Sequence, residues 1–180
     1  MIKIIKFGFI LVFFLLFVIF SNTAIASENK TATSGGSINT FELFWPVVAG
    51  KTLDQPYYFL KDFKEKLRGL LIFGNPQKAD YNMLLATKRL LEADKLIKDN
   101  KTDLAKQTLN LSLGFLTQVE TDIKKAKSEK QVLSDNGNEI MNRLSNIQTY
   151  VEYSLKTESA YKENLQEILN KIKNIKTLLK

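Results

Sequence analysis

Two of the side chains that carry most protein chemistry are missing outright, because the chain has no histidine and no cysteine. The commonest general base, the commonest metal ligand, thiol nucleophiles and disulfides are thereby excluded. Zinc, haem and copper centres are accordingly not expected. Carboxylate, serine and lysine chemistry remains, and it needs a nucleophile, a base and oxyanion donors that converge. Glu120 and Asp122 lie two apart on a helical stretch and so do not face each other. Asp99 to Asp103 has the outline of a calcium loop, but Lys101 takes a ligand position and the loop's later Gly and Glu are absent. No Gly-rich phosphate loop or nucleophile elbow occurs. The expectation is a non-enzymatic chain with no catalytic, cofactor-binding or metal-binding residue and no cofactor.

The charged groups have plain explanations. Lys88, Arg89 and Glu92 are spaced for ion pairs on one helix and read as a solvated face. Lys124, Lys125, Lys127 and Lys130 gather where cations complement the end of a helix. The last ten residues hold four lysines and no acid, a second basic helix end. Glycosylation triplets at Asn29, Asn100 and Asn110 arise by chance in an Asn-rich chain.

These residues must be positioned by a chain of 180 residues that is 44% hydrophobic and 25% charged, enough for one modest core. Few prolines and glycines favour helices over a turn-rich β fold. Residues 1–26 read as a signal peptide or N-terminal membrane anchor. Lys3 and Lys6 precede the uncharged apolar run Phe7 to Phe20, and Ala24 and Ala26 give the small-x-small pattern of a cleavage site. Loss of the two lysines lowers the net charge of +7 to +5. Either outcome places the rest outside the cytoplasm, secreted or in the cell envelope, with membrane contact only through an uncleaved N-terminus. Residues 27–40 are a polar Ser/Thr/Gly linker. Residues 41–55 form an aromatic strap around Trp45 and Pro46, expected to lie extended across the helices behind it or to present an exposed aromatic patch.

Residues 56–130 read as a helical domain opening on an antiparallel hairpin. Leu60, Phe63, Leu67, Leu70 and Leu71 share one face of a first helix, expected to be its core stripe, with Asp62 and Lys66 on the other. Gly74-Asn75-Pro76 supplies a left-handed helix end, an N-cap and a first helical residue. Met83, Ala86, Leu90, Ala93 and Ile97 then line a second helix, with Leu84 and Leu91 broadening the stripe. A third helix carries Ala105, Leu109, Ser112, Leu116, Val119, Ile123 and Ala126, with Gly114 as a mild weakness or a point of close packing.

The stretch from Phe41 to Ala93 resembles the bacterial family called domain of unknown function 5667, over about residues 41–125. The matching residues are Pro56, Tyr58 and Lys61 at the first helix, Pro76, Lys78 and Ala79 at the turn, and Arg89, Leu90, Glu92 and Ala93 in the second helix. The strap departs from the family pattern, with Phe44-Trp45-Pro46-Val47-Val48 where a Pro/Gly-rich segment is expected. The resemblance implies an exported or membrane-linked helical domain and brings no catalytic residues with it.

Ser134 to Asn138 is the clearest break in the second half. Residues 138–180 then hold a four-three apolar rhythm from Ile140 to Leu179, interrupted only by Ser154 and Glu158. Unbroken, this helix would run about 60 Å and pack as a coiled coil on the third helix or on another copy; the two polar positions mark a bend or a register-setting defect. The fold expected is all-α, a hairpin extended into a three- to four-helix bundle with a long coiled-coil-like C-terminal helix. The function expected is that of a scaffold or interaction module, with a protein partner or self-association through the C-terminal helix. The alternative is a basic surface for anionic envelope polymer, lipid or nucleic acid.

Overall fold

The computed structural model describes residues 38–180, the side chain of Ser134 apart. The signal or anchor expected over 1–26 and nearly all of the linker lie outside these residues. The described chain is all-α: α1 (Thr40–Phe44), α2 (Tyr58–Leu70), α3 (Asn75–Lys98), α4 (Thr102–Ser128), α5 (Ser134–Thr157), a 3-10 turn (Ser159–Tyr161) and α6 (Lys162–Leu179).

Helices α3 to α6 form a four-helix bundle. Helices α3 and α4 make one antiparallel hairpin and α5 and α6 another, and α3 also packs along α5 while α4 packs along α6. The cross-hairpin pairs run parallel. Asp80 meets Arg143 and Asp94 accepts from Tyr150, so residue numbers rise together on α3 and α5. Asn110 accepts from Asn164 and Glu120 pairs with Lys171, so they rise together on α4 and α6.

The sequence stripes of α3 and α4 become the core. Met83, Ala86, Leu90 and Ala93 on α3 meet Ala105, Leu109, Leu116, Val119 and Ile123 on α4, all at most 1% exposed. Small residues bring the two helices close enough for Ser112 Oγ to donate to the Ala86 carbonyl at 2.9 Å. Each helix of this pair ends with a non-glycine residue in the left-handed region, Asn100 (φ 57°) and Lys130 (φ 55°). The next amides, Lys101 and Gln131, reach back to Leu96 O and Ala126 O at 2.8 Å, closing Schellman-type caps.

Two expectations need correction. The long C-terminal helix is not continuous. It stops at Thr157, turns through residues 159–161 and returns as α6, so the bend and not the register defect is realised. The heptad phase survives the turn: Ile140, Leu144, Ile147, Val151, Leu165, Ile168, Ile172 and Ile175 are all fully buried in the same core as α3 and α4. The break falls at the second polar position: Ser154 is buried within α5, whereas Glu158 caps it, its amide donating to Ser154 O while its own backbone leaves the helical region (φ −117°, ψ 72°). The break expected at Ser134 to Asn138 falls earlier, at residues 129–133, since Lys130 ends α4 and the polar run suits a helix's first turn, with Asp135 at its positive end.

Gly114 is exposed in the interior of α4, and a Cβ there would meet nothing within 4 Å. It is a weakness and not a close contact. Gly114→Ala therefore stabilises the fold by about 0.5–1 kcal/mol, read as a raised urea midpoint with an unchanged denaturant slope.

Candidate functional site

Helix α2 is amphipathic, as its spacing requires, but it sits the other way round from the expectation. None of its residues is buried. Phe63, Leu67, Leu70 and Leu71, expected to form a core stripe, are 65%, 49%, 77% and 68% exposed. Phe59 and Leu60 lie with them, and Phe73 in the following turn is exposed as well. What faces α3 is the polar side.

The reason lies on α3. Arg89 and Glu92, expected on a solvated face, are 1% and 0% exposed, and Arg89 is the largest fully buried side chain of the described chain. Their ionic clasp is built as follows. Arg89 Nη1 donates to both carboxylate oxygens of Glu92 at 3.2 and 3.1 Å, and Nη2 donates to Glu65 of α2. Lys61 of α2 donates to Glu92 from the other side and to the Lys51 carbonyl at 3.0 Å. The Arg89 guanidinium lies 5.7 Å from the ring centroids of both Tyr58 and Phe115, and Lys61 Nζ lies 4.9 Å from Tyr58. Two cations and two anions thus meet around one aromatic wall. At the far end of α2, the Tyr81 hydroxyl donates to the Glu65 carbonyl at 2.9 Å, and Arg68 covers the same ring at 5.5 Å. The register is antiparallel, so the expected hairpin exists, joined by charge in place of an apolar seam.

Energetics explain the choice. Breaking one member out of a buried ion cluster costs about 3–5 kcal/mol, because an uncompensated charge stays behind. Turning α2 to bury its leucines would withdraw Lys61 and Glu65 from Arg89 and Glu92 together. The electrostatics fit this picture. Burial pulls the Lys61 ammonium below its usual range, opposed by its bond to Glu92. Burial also disfavours charge on Arg89, but Glu92 and Glu65 outweigh it and hold the guanidinium above its ordinary value. Desolvation pushes the Tyr58 phenol up to about 12.

The strap seals the clasp. A Cβ on Gly50 would lie 3.0 Å from Lys61 Cε and 3.1 Å from Glu92 Oε1, so a side chain here would push those clasp groups aside by a few tenths of an ångström. Upstream the strap begins as α1 and is not extended throughout, since Asn39 caps the amides of Phe41 and Glu42. Phe44 is buried edge-on against Tyr150, with ring centroids 6.1 Å apart, and Asn146 donates to the Leu43 carbonyl at 2.8 Å. Phe41 and Trp45 remain outside as an exposed pair, so the strap realises both expected behaviours in different residues. The chain between Trp45 and Gly50 borders a groove of about 770 Å³ over α3 and α5, with Lys88 and Arg143 on its wall.

Of the residues that carried the family resemblance, Tyr58, Lys61, Arg89 and Glu92 converge in the clasp, while Ala79, Leu90 and Ala93 are fully buried beneath it. Glu65 completes the clasp and lies outside the motif. Its i,i+4 spacing from Lys61 was its only mark in the sequence. The basic run at the end of α4 stays exposed, with Lys124 paired to Glu120 at 2.6 Å. Among the described residues no group of three acidic side chains is placed to hold a metal ion, and no helix is long and apolar enough to cross a membrane.

The family described as a domain of unknown function, DUF5667, matches residues 50–177. The match starts at the glycine that seals the clasp, leaves out residues 41–49, and runs through α6, well past the expected limit near residue 125. This extent follows the packing, since α5 and α6 share one core with α3 and α4. No curated protein and no solved structure matches the chain.

Glu92→Ala leaves Arg89 and Lys61 buried without their shared carboxylate, and lowers stability by about 3–5 kcal/mol in urea unfolding. Tyr58→Phe stays within about 1 kcal/mol of the parent, because the Tyr58 hydroxyl has no hydrogen-bond partner among the described residues. The same substitution deletes a phenolate step at about 12 from the alkaline absorbance titration. With the folded pKa raised above the phenol's ordinary value near 10, its contribution to stability is complete below pH 10 and is lost as pH rises through about 12.

Proposed function

The chain belongs to the DUF5667 family, and we propose that it is an exported, non-catalytic helical module of the cell envelope whose working surface is the outward face of α2. One observation carries this reading: the most amphipathic helix is clamped to the bundle by buried charges with its apolar side turned to solvent. Single exposed leucines are ordinary, whereas a contiguous row of large apolar groups marks a contact surface. Each such side chain gains about 1.5–3 kcal/mol when fully covered, so the row as a whole is a strong reason for a partner.

The apolar run of residues 7–20 and the small residues at 24 and 26 support export. A binding role is favoured over catalysis because the carboxylates of the clasp are taken up by its cations. Glu92 accepts from Lys61 and Arg89, and Glu65 accepts from Arg89. Arg89 Nε and the Tyr58 hydroxyl are the clasp atoms buried without a partner among the described residues, and neither is a nucleophile or a base at neutral pH. The heptad seam of the C-terminal segment, which suggested self-association, is covered by the chain's own helices. That moves the expected contact to α2.

A photo-cross-linking residue placed at Phe63 or Leu67 of the full chain in cells tests this. Adducts form at those two positions and not at the exposed controls Thr117 on α4 and Lys173 on α6. Equal labelling at all four positions, or none at 63 and 67, would overturn the reading.

A further inference from the structure

We propose that the occupant of the outward face of α2 is a lipid bilayer, with the helix lying in the headgroup layer parallel to the surface. This rests on the reading above and names its partner. At 100° per residue, Phe59, Leu60, Phe63, Leu67, Leu70 and Leu71 fill an arc of about 120°. Lys64 and Lys66 stand at the two edges of that arc, both exposed, with the Lys66 side chain 74% open. Both acids of the helix lie on the opposite side. Asp62 pairs with Lys66 at 2.8 Å and approaches Arg89, and Glu65 is bound to Arg89. An apolar stripe edged by exposed lysines is the arrangement of an interfacial helix, whose ammonium groups reach headgroup phosphates while its rings and leucines enter the acyl boundary.

Two further observations favour lipid over a second copy of the chain. Two α2 faces brought together would set lysine rims against lysine rims, with Asp62 the nearby carboxylate on each side and already paired to Lys66 of its own helix. Anionic headgroups supply opposite charge to both exposed lysines, Lys66 keeping its pair with Asp62, at about 1 kcal/mol per lysine near the surface. The sequence also places an apolar run ending at Phe20 ahead of the bundle, with residues 21–39 between it and α1. A bilayer holding that run would carry the rest of the chain with it and so raise the effective concentration of α2 at the same surface.

The chain has no cysteine, so single cysteines can be placed at will in the full-length protein. Nitroxide labels at positions 63, 67 and 70, with a control at the exposed Thr117, are read after reconstitution into phosphatidylcholine vesicles with and without phosphatidylglycerol. With phosphatidylglycerol, the three α2 labels gain access to dissolved oxygen and lose access to a water-soluble nickel complex, while the label at 117 does not change. High salt, or Lys64→Glu with Lys66→Glu, sends the labels back toward water. Labels at 63, 67 and 70 that stay open to nickel in these vesicles overturn the lipid proposal. If the same positions still cross-link in cells, the interaction surface stands and only its occupant is wrong; if they do not, both readings fall. Concentration-dependent spin–spin broadening between labels on α2 identifies a second copy as the occupant and overturns the bilayer.

Discussion

The structure depends on a pair of charges that has no route to water. Arg89 and Glu92 sit one helical turn apart on α3, inside the molecule, and bond to each other through Arg89 Nη1. Their remaining capacity must be met by groups brought from elsewhere, because a buried ion left unpaired costs several kcal/mol. Lys61 and Glu65 of α2 supply opposite charges at the spacing of one turn, Tyr58 and Phe115 sandwich the guanidinium, and the strap passes over at Gly50. Fixing those partners fixes the rotation of α2 about its own axis. The outward direction of Phe63 and Leu67 is then a consequence of where two charges on another helix lie.

The rest of the bundle is built so that this arrangement is not disturbed. Helix α3 is covered by α4 on one side and α5 on another, and α5 is backed by α6. The break at Glu158 lets one long apolar rhythm cover the core from two helices that return on themselves. Strap and bundle are joined at the buried end by the Tyr150 hydroxyl, which donates to Asp94 at 3.0 Å while its ring packs on Phe44. The core is thus complete without a single buried residue from α2. Whatever covers that helix adds to a fold that already stands.

Most of the core was legible in the sequence, and the reason is periodicity. The stripes Met83–Ile97, Ala105–Ala126 and Ile140–Leu179 repeat at helical spacing, and their members are buried apart from Ile97, Glu158 and Leu179, which are half-buried. Periodicity also identified α2 as amphipathic. It says which residues share a face, however, and not what that face meets. Leu67 and Leu90 carry the same signal, yet one is 49% exposed and the other fully buried. Arg89 and Glu92 misled for the complementary reason, since an i,i+3 pair looks the same in sequence whether water or Glu65 and Lys61 surround it. The hint lay in two helices at once, with Lys61 and Glu65 four apart on one and Arg89 and Glu92 three apart on the other. Seeing them as one cluster needs the hairpin's register, which no single helix contains. The break near residue 158 was readable as a polar gap in the seam, but a gap marks a bend and a packing defect alike.

A last question is why charge, and not an apolar seam, joins α2 to α3. Replacing a buried ion cluster with well-packed apolar residues of similar volume is often neutral or stabilising, so stability alone does not select the clasp. An apolar inner face would make α2 hydrophobic nearly all round, given the row already on its outer side. Such a helix has no preferred rotation and burrows into whatever apolar surface is nearest, including its own bundle. The four charges remove that ambiguity, because only one rotation of α2 satisfies Arg89 and Glu92. They also leave the apolar row exposed without letting it compete for the core. The clasp is therefore best understood as a device for orientation, one that keeps a sticky surface pointing away from the protein that carries it.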